Sequence, residues 1–147
     1  MFKILLALHL LFAIFTIGPL VHAATTAGRG VRKGDAAATA TSSRILRIYA
    51  IASVLVIIFG FGLMSSKRHG VEVAKFSQTW IWLSAVLWLI AVVLILAVVV
   101  PTLDKATALI GKQESVVSMT GKIAAFGGIV GILFVVVVFL MVYQPGK

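Results

Sequence analysis

Histidine 9, set in the apolar run KILLALHLLFAIFTIGPLV, is the one residue placed to do chemistry inside a lipid-like surround. A neutral imidazole there can ligate haem iron or copper. It can equally hydrogen-bond across a helix interface or to a partner subunit. A second axial ligand is hard to find. His22 is about 20 Å further along a helix axis and roughly 140° around it. His69 falls outside the apolar runs, and Met64 lies near the far end of its own run. The interface role is therefore the preferred reading of His9, with haem b as the alternative. There is no cysteine, which excludes disulfides, thiolate metal sites and cysteine nucleophiles.

Equally telling is what the apolar runs lack. None holds an Asp, Glu, Lys or Arg in its interior. Ionisable groups inside a membrane are the default functional candidates. A small proton-coupled exporter needs an embedded carboxylate, so transport by this chain alone is disfavoured, and channels and pumps lose weight with it. No phosphate loop, metal-ligand cluster or nucleophile–base arrangement is visible.

The elements that must position His9 follow from composition. The chain has 147 residues, 61% hydrophobic and 12% charged, and its mean hydropathy is +1.16. Soluble domains are about 45–50% apolar and about 25% charged. The excess lies in four runs, each near the ~20 residues that cross a hydrocarbon core. The expectation is an all-α, integral membrane four-helix bundle forming one domain over residues 1–147, with helices at about 4–24, 44–64, 78–101 and 121–143. A net charge of +9 would suggest nucleic acid in a soluble protein. Here the cations flank apolar runs, so lipid headgroups and topology account for them and nucleic acid is not expected.

In chain order, Ile4–Ala24 competes with a cleaved signal peptide. Lys3, Gly18-Pro19 and Val21-His22-Ala23 fit such a leader. The run exceeds the usual leader core of about 7–15 residues. Cleavage would also strand the following basic segment outside, so a retained helix is preferred. Thr25–Arg47 then reads as a basic loop carrying Arg29, Arg32, Lys33, Arg44 and Arg47 against Asp35. These residues are expected to set topology or to touch lipid headgroups or a partner. Ser42 or Ser43 would cap the second helix. Ser65–Gln78 is a short connection, and Pro101 is expected to end or kink the third helix. Trp80 and Trp82 suit the interface, and Trp88 falls deeper. Thr102–Gly121 reads as a mixed connection, with Ala106–Ile110 a candidate short interfacial helix. In the fourth helix, Ala124, Gly127, Gly128 and Gly131 form two small-xxx-small pairs that invite close helix contact. The first and third connections hold more basic residues than the opposite side. That places them in the cytoplasm and both termini outside, in a multi-pass protein of the inner (plasma) membrane.

The histidine-bearing first helix, the basic loop, RIYAIASVLVIIFGFGLM and the proline-terminated third helix together resemble small bacterial four-helix membrane proteins of unknown function. Those look distantly allied to the copper-resistance D membrane domain and to the haem-linked bacterial protoporphyrinogen oxidase. By that resemblance His9 matches the first-helix histidine. The oxidases carry a basic residue in a later helix, and Trp80–Val100 offers none. The favoured expectation is a non-catalytic accessory subunit, surrounded by membrane lipids and other integral membrane subunits, for instance in a respiratory complex. The alternative is a small haem- or copper-binding redox protein using His9.

Overall fold

A computed structural model describes residues 1–146. Four helices run the length of the molecule: α1 Phe2–Arg32, α2 Ala36–Met64, α3 Thr79–Gly111 and α4 Val117–Tyr143. Each packs on the next and α4 closes back on α1, giving an antiparallel bundle. Both termini and the α2–α3 connection share one end, and two short turns form the other. Lys147, expected to mark the exit of the last helix, lies outside the described residues.

The helices are longer than the apolar runs. The 31 residues of α1 make about 46 Å at 1.5 Å per residue, against about 30 Å of hydrocarbon. The segment expected as a basic loop, Thr25–Arg47, is helical except for a turn at residues 33–35. Leu20, Ala23, Ala24, Ala27 and Val31 are buried, and this spacing of three and four makes one stripe of a helix. The stripe outweighs the helix cost of Gly28 and Gly30, about 1 kcal/mol each. Gly34, at φ +62°, takes the left-handed conformation that lets the chain leave α1. The cap of α2 is Asp35, whose side chain accepts from Ala38 N at 3.0 Å. The serines expected to cap it lie inside the helix instead.

Two prolines inside long helices, Pro19 and Pro101, are absorbed rather than obeyed. The π-helical segments Ala13–Ile17 and Ile95–Val99 each stop two residues before a proline, Pro19 and Pro101. Proline lacks an N–H and crowds the carbonyl four residues back. A wide turn at that place relieves the clash and lets the helix continue. Helix α3 therefore runs past Pro101 to Gly111, taking in Ala106–Ile110. Helix α1 runs unbroken through Val21-His22-Ala23.

The connection Ser65–Gln78 holds a small hairpin, β1 Lys67–Arg68 paired antiparallel with β2 Val71–Glu72. His69 and Gly70 at its tip both have positive φ, 53° and 83°, as a tight two-residue hairpin turn requires.

Candidate functional site

Imidazole Nδ1 of His9 donates to Val56 O of α2 at 3.0 Å. A carbonyl only accepts, so Nδ1 carries the hydrogen and a neutral ring keeps Nε2 as an acceptor. A Cβ built on Gly60 would stand 3.2 Å from His9 Cε1. Gly60 is therefore the floor on which the ring rests, one turn beyond Val56. Phe12 stacks on Phe59, with centroids 5.1 Å apart. These contacts hold the first three turns of α1, a segment with no buried residue, against α2.

Two apolar cavities flank this histidine. One, of about 500 Å³, opens between α1, α2, α3 and α4 and is lined by His9, Val56, Ser84, Trp88, Phe134 and Phe139 among others. The other, of about 260 Å³, lies toward the terminal end and is lined by His9, Gly60, Phe61, Met64, Trp80 and Met141 among others. His9, Ile57 and Met141 line both. No charged side chain lines either cavity.

Four polar side chains reach these walls besides His9: Ser84, Trp88, Trp80 and, at the terminal end of the smaller cavity, Gln144. Ser84 Oγ donates back to Trp80 O at 2.7 Å. Trp88 Nε1 donates to Ser53 Oγ of α2 at 2.9 Å, so this tryptophan sits against a neighbouring helix. The third, Trp80, is 7% exposed, and its Nε1 meets no acceptor among the described residues. An unmatched buried donor costs about 1–3 kcal/mol, and native structures hold few of them.

His22 is exposed on the outer part of α1, and His69 is at the hairpin tip. Neither joins His9. Among the described residues, no three His, Cys, Asp or Glu side chains gather around a common point. A cofactor at His9 would draw its second ligand from Met64 or Met141, the sulfur-bearing residues of the smaller cavity.

The small residues of α4 divide into two sets. A Cβ on Gly127 would lie 2.1 Å from Ala24 O, and one on Gly131 would lie 3.2 Å from Thr25 Cγ2. Ala124 Cβ is the nearest atom to a Cβ built on Gly28, at 3.4 Å. Those three positions bring α4 close to α1. Gly128 has nothing within 4 Å and stands apart from them.

The five basic residues expected to touch headgroups, Arg29, Arg32, Lys33, Arg44 and Arg47, are all exposed. They ride on the helical extensions and the turn between them. Arg47 pairs with Asp104 at 2.8 Å, and Ser43 donates to the same carboxylate. Thr39 and Thr107 share a hydrogen bond at 2.7 Å. Thr39, Ser43, Leu46, Ala50 and Ser53 are buried on α2. Their 4-3-4-3 spacing is the seam of two helices winding together. The seam is faint in the sequence because a stretch of small polar residues has the composition of a loop.

Fold and site together define a polytopic membrane protein with four helices long and apolar enough to span. The chain matches the family described as "Predicted integral membrane protein (DUF2269)" over residues 3–145, and it belongs to that family. No curated protein and no solved structure matches it.

Proposed function

We propose that the protein is a non-catalytic accessory subunit that packs laterally against a larger membrane assembly, such as a respiratory complex of the bacterial inner membrane. The observation that carries this reading is an unused seam on the outer face of α4. Gly121, Ala125, Gly128, Ile132, Val135, Phe139 and Val142 follow a 4-3 spacing that sets one helix against another. Ile132, Val135, Phe139 and Val142 are 54–71% exposed. Lipid alone satisfies exposed apolar side chains. A notch at Gly121 and Gly128, where a Cβ would touch nothing, is what a neighbouring helix backbone uses to approach closely. In this reading the basic end faces the cytoplasm and both termini are extracytoplasmic.

Extraction from native membranes in mild detergent tests the reading. The wild-type chain should emerge with a partner at fixed stoichiometry, and Gly128→Leu should emerge alone yet folded. A wild-type chain that purifies alone would remove the subunit reading. Retention of the partner by Gly128→Leu would remove the seam as its docking face.

A further inference from the structure

We propose that the paired cavities beside His9 form one binding site for an uncharged, long-tailed membrane lipid whose head carries a hydroxyl and a second oxygen. The smaller cavity holds the head and the larger holds the tail. Val135, Phe139 and Val142 of the α4 seam also line these cavities, so the titration below is read on the isolated chain, where no partner covers them.

Three features of the walls set this chemistry. Neither cavity has a charged lining residue, so a phosphate or ammonium head would be desolvated without a counter-ion. An uncharged head follows. Next, the lining of the smaller cavity includes Trp80, whose Nε1 is buried with no acceptor among the described residues, and Gln144, which is already partnered. The same cavity is also walled by one ring acceptor, His9 Nε2, left over once Nδ1 is committed to Val56. A hydroxyl that donates to His9 and an oxygen that accepts from Trp80 would satisfy both. Last, the larger cavity is lined almost wholly by aliphatic and aromatic side chains, which suits a hydrocarbon tail and gives a polar chain no partner. Small-molecule sites are commonly built this way, apolar with a few convergent polar groups.

Two kinds of lipid share this head chemistry: an isoprenoid hydroquinone, with two phenolic oxygens, and a diacylglycerol, with a hydroxyl and ester carbonyls. The experiment uses full-length protein in detergent, stripped of lipid by prolonged washing. It is titrated separately with a decyl-substituted benzohydroquinone under anaerobic conditions and with dioctanoylglycerol. Thermal unfolding and tryptophan fluorescence are followed in each titration. At least one probe should raise Tm progressively with concentration, as any ligand of the native state does. Trp80→Phe keeps the ring and deletes the donor, and should weaken that probe about tenfold, the loss of one buried hydrogen bond. His9→Phe should do the same. If His9→Phe fails to fold, the Trp80→Phe comparison decides alone. A response to the hydroquinone only, or to the diacylglycerol only, supports the site and identifies its source. No rise in Tm with either probe overturns the proposal, as does an undiminished rise in Trp80→Phe. So does a Soret band on adding haem that is lost in His9→Phe while neither lipid responds.

Discussion

Single atoms decide which glycines of this bundle are essential. Gly127 and Gly128 are neighbours in sequence and opposite in consequence. A methyl at position 127 would be driven into the carbonyl of Ala24, whereas one at 128 meets nothing. Gly127→Ala should therefore part α1 from α4 and cost about 3 kcal/mol, the upper range for forced overpacking. Gly128→Ala should change stability by no more than about 0.5 kcal/mol. Equilibrium unfolding in mixed detergent, followed by helical circular dichroism, separates the two. Gly60 poses the same question at the histidine. There the neighbour is a side chain rather than backbone, at 3.2 Å from the added carbon, and the ring has some room to move. Gly60→Val should break the His9–Val56 hydrogen bond and cost about 1–3 kcal/mol. The imidazole resonance of His9 in a ¹⁵N spectrum should lose the signature of a protonated Nδ1. An unchanged spectrum would show that Gly60 does not support the ring. The importance of His9 was legible from its type and surroundings. Its carbonyl partner and its glycine floor were not, because both lie on another helix and neither has a chemical type that advertises the contact.

At the scale of the helix, the sequence marks where apolar residues stop, and the structure shows that helices do not stop there. The spans were legible because about 20 uncharged residues in lipid have no alternative that satisfies the backbone. The extensions were not. Thr25–Arg32, with Gly28 and Gly30, and Ala36–Arg47 are rich in small and polar residues, the composition of a loop. Their buried stripe is mostly alanine, threonine and serine, with only Val31 and Leu46 as larger apolar members, so its periodicity is faint. It nonetheless buries Ala24, Ala27, Val31, Thr39, Ser43 and Leu46. The first turns of α1 bury nothing, as membrane helices without a hydrophobic driving force between them can afford to do. The extensions reach past the end of the first apolar run and the start of the second, and pack by burying mostly small side chains between helices. Their stability then depends on ordinary capping. Asp35→Ala removes the acceptor for Ala38 N and should cost about 1 kcal/mol. The loss should appear as faster amide exchange over residues 36–39. An unaltered exchange pattern there would mean that packing, not the cap, holds the start of α2.

For the molecule as a whole, the two ends differ in charge and in construction, and this difference bears on orientation. One end carries eight basic residues, Arg29, Arg32, Lys33, Arg44, Arg47, Lys105, Lys112 and Lys122. All of them lie on or beside helical extensions that pack as one block. The other end has Lys3, Lys67, Arg68 and Lys75 around the small hairpin. In the proposed orientation this end faces the cytoplasm, and moving its cations across the bilayer is resisted. Here the resistance would be reinforced, since the block would have to come apart before its charges could cross. Reversal would thus require both charge translocation and unpacking of the best-buried part of the protein. The absence of cysteine makes a direct test simple. Ser77, beside the hairpin, and Ser115, in the turn between α3 and α4, are both exposed, and cysteine is nearly isosteric with serine. In intact cells a membrane-impermeant maleimide should label Ser77→Cys and leave Ser115→Cys untouched. Both should react once the membrane is opened. Labelling of Ser115→Cys in sealed cells, with Ser77→Cys protected, would invert the protein in the membrane and place the Arg47–Asp104 pair on the outer surface.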